Sequence, residues 1–194
     1  MEEQGLLRFL NMHGHWDKFL KVKDLVKKAK PELVVELGAG GGDNTDQYLE
    51  LRKSLPFKMI VISDGECPER FKNIPDFVWI FGISYKELGN TKLPFIDFCS
   101  IDTDHNYWTL KQELKCLNNC MRKGGIVVLH DTESYRHNSG VMMNYKADVP
   151  YPKEILENQK RGMVEALEEE IKAGNYEIIK ETKKSCGAIA IKRL

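Results

Sequence analysis

Val34-Val35-Glu36-Leu37-Gly38-Ala39-Gly40-Gly41-Gly42 is a short apolar run that opens into a glycine-rich loop, followed from about Asn44 or Thr45 by a helical pattern. A β-branched run that ends in glycines and restarts as a helix is the start of a β-α unit. The glycines let the backbone turn sharply and come close to a ligand at a helix N-terminus. A dinucleotide loop would read G-x-G-x-x-G, but counted from Gly38 the last glycine falls on Asp43; the spacing present is E-x-G-x-G-x-G. The same glycines could also make only a tight strand-to-helix turn.

The grammar repeats outward from this loop. Met59 to Ser63, Phe77 to Phe81, Ile96 to Ile101 and Ile126 to Leu129 are further short apolar runs, each followed by a helical pattern. Leu33 to Leu37 and these four predict a mostly parallel, doubly wound α/β sheet of Rossmann-like type with helices on both faces. Tyr176 to Lys180 and Ala188 to Lys192 predict two closing strands, an antiparallel hairpin turning through Cys186-Gly187, which makes seven strands. One helix is predicted between Pro152 and Ala173, with Leu156, Met163, Val164, Leu167 and Ile171 on its buried face. Upstream, amphipathic stretches at Leu6 to Leu10 and Phe19 to Lys30 predict helices packed on the sheet edge, the second ended by Pro31.

At 194 residues the expectation is one domain: N-terminal helices over 1–30, a ligand-binding core over 33–132, a substrate loop and helix over 133–175 and a hairpin over 176–194. Lys and Arg total 29, as do Asp and Glu, so no net charge draws the chain to nucleic acid or an anionic membrane, and a small-molecule substrate is expected. There is no apolar run of about 18 residues, and Glu2 and Glu3 stand where a signal peptide would be basic, so the expected compartment is the cytoplasm. The five cysteines form no C-x-x-C pair and read as reduced, structural thiols. The oligomeric state is left open, although exposed apolar residues on the first helices could support a homodimer.

Chemistry concentrates at two strand ends. The fourth run leads into Asp102-Thr103-Asp104-His105-Asn106-Tyr107 and the fifth into His130-Asp131-Thr132. In an open parallel sheet both ends face one crevice outside the carboxyl edge. Carboxylates and imidazoles gathered there can hold a divalent ion, and an oxygen-rich set suits Mg2+ or Mn2+ better than a thiolate-type zinc site. Such an ion would lower the pKa of a substrate hydroxyl and orient it. Asp102 or Asp104 could instead cap the helix near Tyr107, and His130 could be an ordinary strand-end histidine. Tyr107 and Trp108 read as helix-packing residues, and His13, His15 and His137 as loop or helix-end histidines. Ser134 to Gly140, directly after the acid at 131, reads as a substrate lid.

These motifs carry a resemblance. The E-x-G-x-G-x-G loop resembles the first motif of class I S-adenosylmethionine-dependent methyltransferases. D-x-D-H-x-Y, a helix, Lys123-Gly124-Gly125 and a strand ending His130-Asp131-Thr132 resemble the bacterial family 24 methyltransferases, and are similar to metal-dependent macrolide-sugar O-methyltransferases and cephalosporin-hydroxylase-like proteins. The match spans about Leu33 to Thr132. The resemblance implies S-adenosylmethionine and Mg2+ or another divalent cation as cofactors. It implies O-methylation of a small-molecule hydroxyl, such as a sugar or natural product. Glu36, Gly38, Ala39, Gly40, Gly42, Asp64 (with Glu66 as fallback), Ser84 and Asp102 would bind the cofactor; Asp102, His130 and Asp131 would bind the ion; His105 would be the general base. Glu36 suits a cationic sulfonium better than a pyrophosphate.

Two positions depart from the relatives. His130 stands where the macrolide enzymes have an acid, and Gly82-Ile83-Ser84 where relatives often read Gly-Asp-Ser, so the carboxylate expected near the adenine is missing. Hydroxylase-like or hydrolytic chemistry on the same fold, and a non-catalytic cofactor-binding accessory protein, are the alternative functions.

Overall fold

The computed structural model describes residues 20–139 and 152–194. The elements run α1 (Val22–Ala29), β1 (Leu33–Leu37), α2 (Asp43–Arg52), β2 (Lys58–Ser63), a 3-10 turn (Glu69–Phe71), β3 (Phe77–Phe81), α3 (Ser84–Asn90), β4 (Ile96–Ile101), α4 (Tyr107–Cys120), β5 (Met121–His130), α5 (Lys153–Glu157), α6 (Met163–Lys172), β6 (Tyr176–Thr182) and β7 (Ala188–Arg193). The seven strands form one sheet in the order β3-β2-β1-β4-β5-β7-β6. The first five pair in parallel, and β7 inserts antiparallel between β5 and β6. The expected Rossmann-like, mostly parallel sheet with an antiparallel closing hairpin is the observed one.

β1 is buried along its whole length. Its alternate residues feed two cores, as the period-2 geometry of a strand requires. Leu33, Val35 and Leu37 join a core with Leu88 of α3, Leu110, Leu114 and Leu117 of α4, and Met163 and Leu167 of α6. Val34 faces the other side, with Val22 and Val26 of α1 and Tyr48 and Leu51 of α2. The order change at β1 places β2 on one flank and β4 on the other, which opens a crevice at the carboxyl ends of these strands.

Several expectations need correction. The helix foreseen across 152–173 is two helices, α5 and α6. The break falls where Gly162 meets the 131–139 loop: a Cβ on Gly162 would lie 1.9 Å from the carbonyl oxygen of Arg136. Leu156 is exposed and Ile155 is buried in its place, because α5 is too short to continue the face of α6. Helix α1 lies over a sheet face with Phe98 and Val128, not on the sheet edge; Val22 and Val26 are buried there and Leu25 is half-buried, which leaves little apolar surface on α1. β5 starts at Met121, directly after α4, five residues before the expected Ile126. The stretch Leu6 to Leu10, Phe19, His13 and His15 lie outside the described residues.

All five cysteines are free. Among the described residues no helix is long and apolar enough to cross a membrane.

Candidate active site

The glycine loop and the acidic strand ends are in backbone contact. Gly38 N–H donates to Ile62 O of β2 and Asp102 N–H to Leu37 O of β1, both at 2.9 Å. A Cβ on Gly38, whose φ is +77°, would lie 2.3 Å from Asp102 O, so the two loops touch only because residue 38 has no side chain. Gly40 and Gly41 face open space instead. Ala39 N–H lies 3.5 Å from Ser63 Oγ. A Cβ on Gly42 would strike the Phe71 ring; beside it Arg70 donates to Gly41 O at 2.6 Å and pairs with Asp46, which closes the loop's outer side.

Glu36 is buried beneath this loop and its Oε2 accepts from Thr45 Oγ1 at 2.6 Å, while Oε1 makes no hydrogen bond. Burial pushes its carboxyl up to about 8, against the Thr45 hydrogen bond and aided by the charges of Asp102 and Asp46. Asp64 and Glu66 are exposed beyond the end of β2. Ser84, at the start of α3, is buried and donates its hydroxyl to Glu113 Oε1, which also accepts from Thr103 Oγ1 at 2.8 Å. Burial pushes Glu113 up to about 8, and its Oε2 makes no hydrogen bond.

Asp102, His105, His130 and Asp131 converge at the ends of β4 and β5, with one potential ligand atom from each lying within 4.8 Å of the others. His105 Nε2 is 3.3 Å from Asp102 Oδ1 and 3.0 Å from Asp131 Oδ2. His130 Nδ1 is 3.3 Å from Asp102 Oδ1 and 3.2 Å from Asp131 Oδ1. Asp131 turns out of β5 with φ +55°, a left-handed conformation that a non-glycine residue holds only at a cost. Burial alone would raise the Asp102 carboxyl, but the two imidazoles outweigh it and bring it down to about 2; Asp131 is lowered in the same way. Burial alone would lower both imidazoles, yet the two carboxylates hold His105 at about 9 and His130 at about 10.

Neither Asp102 nor Asp104 caps α4. Asn106 does, its side-chain oxygen accepting from Thr109 N–H at 2.8 Å. Asp104 is pushed up to about 6 by burial and by Asp64. Tyr107 is a packing residue, bonded to Glu169 with the Arg161 guanidinium 3.6 Å over its ring, and His137 is exposed. The described part of the foreseen lid, 134–139, is tied down: Cys186 O accepts from Glu133 and Ser134 N–H, Tyr135 O accepts from Met163 N–H, and Ser139 Oγ donates to Arg161 O.

Two residues were not foreseen. Glu113 could have been noticed as a carboxylate on the apolar face of a helix otherwise marked by Leu110, Leu114 and Leu117. Tyr135, whose ring stacks on His105 with centroids 4.8 Å apart, has no signature in the sequence.

No family model and no curated protein matches the chain. Solved structures do. A Staphylococcus aureus protein assigned as a caffeoyl-CoA O-methyltransferase superposes with a TM-score of 0.63 at 15% identity, over 95% of this chain and 91% of that one. The O-methyltransferase from Bacillus cereus in complex with SAH matches at 0.57 and 17% identity, over 88% and 78%. MycE, a methyltransferase of mycinamycin biosynthesis in complex with Mg and SAH, matches at 0.56 and 17% identity, over 92% of this chain and 48% of MycE. At these identities the likeness is one of architecture: the chain has the Rossmann-like fold of class I O-methyltransferases.

Proposed function

We propose that the chain is an S-adenosylmethionine-dependent O-methyltransferase that uses a divalent cation to act on a small-molecule hydroxyl. The observation that carries this reading is the contact of Gly38 with Asp102, which puts a glycine cradle and a carboxylate-imidazole group side by side in one crevice. Structural neighbours named as an O-methyltransferase with SAH and a methyltransferase with Mg and SAH support it.

The residues fit both groups. Gly40 and Gly41 leave room for a ligand against the loop, and Glu36 Oε1, on a carboxyl that keeps its proton at neutral pH, is buried without a hydrogen bond. Glu36, Gly38, Ala39, Gly40, Gly42, Asp64 and Asp102 frame the cofactor position. Ser84 Oγ is spent on Glu113 and can serve there only as an acceptor. Asp102, His130 and Asp131 are ligands for the cation, and His105 is either a fourth ligand or the proton acceptor, since its one nitrogen facing the carboxylates cannot be both at once.

When bound, the sulfonium would supply the methyl group and the cation would make the attacking hydroxyl more acidic, its proton passing to His105 or, where His105 ligates the ion, to water. The protein's part is to hold oxygen, carbon and sulfur in line. The crevice, one domain and a cytoplasmic setting complete the reading.

Calorimetric titration with S-adenosylmethionine, with and without divalent ions and with a nicotinamide dinucleotide as control, tests it. Selective binding followed by S-adenosylhomocysteine release with a hydroxyl acceptor supports the reading. No binding under any condition overturns it.

A further inference from the structure

We propose that Asp102, His105, His130 and Asp131 form a four-donor site selective for a first-row transition dication, Mn2+ through Zn2+, over Mg2+, with His105 as a ligand. This deepens the reading above by naming the ion, and rests on it for the ion's use in the reaction but not for its binding.

The four side chains do not pair off. Each imidazole nitrogen faces both carboxylates, at 3.0 to 3.3 Å, in a closed ring. Those separations exceed the roughly 2.7–2.9 Å of a well-made charge-assisted N–H···O bond. Asp131 Oδ1, buried 3.2 Å from His130 Nδ1, makes no hydrogen bond. The atoms converge on a common point, as ligands do, more than they satisfy one another.

The backbone is bent to keep them there. Asp131 holds φ +55° at the end of β5, and the Tyr135 ring stacks on His105. Strain of this kind gathers at functional sites, and the stacked Tyr135 ring restricts the orientation of the His105 imidazole.

The donor set selects the ion. Mg2+ wants near-octahedral oxygen and keeps its waters. Two imidazoles favour transition ions, whose affinity rises from Mn2+ towards the later members. Two carboxylates balance the charge of one dication, so the loaded site is neutral, and four ligands leave positions open for a substrate oxygen.

The test is titration of the chelator-stripped, full-length protein with MnCl2, CoCl2, ZnCl2 and MgCl2, with the absorption spectrum of the Co2+ complex and 14N couplings to bound Mn2+ as readouts independent of activity. We expect Co2+ to bind at least about tenfold more tightly than Mg2+, with nitrogen couplings from two imidazoles. His105→Asn and His130→Asn should each weaken Co2+ by about tenfold or more, and His130→Asp should narrow the preference over Mg2+. Equal or tighter Mg2+ binding, nitrogen couplings from fewer than two imidazoles, or no ion binding overturns the proposal. The wild-type spectra decide this even if a variant misfolds. S-adenosylmethionine binding without transition-metal selectivity overturns this proposal alone; selectivity without S-adenosylmethionine binding upholds it and removes the methyltransferase reading.

Discussion

Gly38 lies so close to Asp102 that a methyl group at residue 38 would sit 2.3 Å from the Asp102 carbonyl oxygen. Gly38→Ala must push β1 and β4 apart at the crevice and also strain a φ of +77°. Together these cost about 2–4 kcal/mol. Urea denaturation should show this loss, with weaker ligand binding at both halves of the site.

Gly41→Ala is the matching control. Nothing lies within 4 Å of its Cβ position, so stability should change by no more than about 0.5 kcal/mol. A fall in S-adenosylmethionine affinity without a fall in stability would locate the cofactor against this loop; unchanged affinity would move it elsewhere.

Stability should decline as pH rises through neutrality. Glu36 and Glu113 have folded pKa values raised to about 8, so the folded state holds their protons more tightly than the unfolded chain. That contribution is fully present below the unfolded value near 4.5 and is lost as pH climbs to about 8, at up to about 1.4 kcal/mol per pH unit for each group. Glu113→Gln, which can still accept from Ser84 and Thr103, should flatten the slope measured by denaturant unfolding at several pH values.

Tyr135→Ala should remove the ring that holds His105 in place, at a cost of about 0.5–1.5 kcal/mol. Metal affinity should fall by about 2–10-fold, the same cost read as a binding constant. Tyr135→Phe keeps the stack and should leave affinity near wild type in the same titration.

Gly162→Ala forces a methyl group into the Arg136 carbonyl. Either the start of α6 or the 131–139 loop must move, at about 1–3 kcal/mol or more. Thermal unfolding reads the cost, and metal titration shows whether the shift reaches Asp131.

Strands β1 and β4 could be read to the residue because apolar runs buried on both faces have abrupt polar or glycine ends, and β3, although half-exposed, is bounded as sharply by Asp76 and Gly82. The start of β5 could not, since Arg122-Lys123-Gly124-Gly125 has the composition of a turn and joins the sheet through a register shift at β4. The break between α5 and α6 was hidden for a different reason: the apolar period runs across it, and only the approach of Arg136 to Gly162 explains it. The acids and histidines of the site were legible because they end strands. How they face one another was not, because that depends on the left-handed turn at Asp131. The alternative that Asp102 or Asp104 caps the helix falls because Asn106, the residue directly before α4, does so.

The strand order β2-β1-β4-β5 also decides when the site comes into being. Its parts are scattered along the chain and become neighbours only after two parallel crossovers have closed, contacts of long sequence separation that form slowly. A nascent or half-folded chain therefore has glycines, acids and imidazoles but no place where they meet. Ligand capture should be among the last events of folding, and gain of metal or cofactor binding during refolding would mark the moment the central sheet is complete.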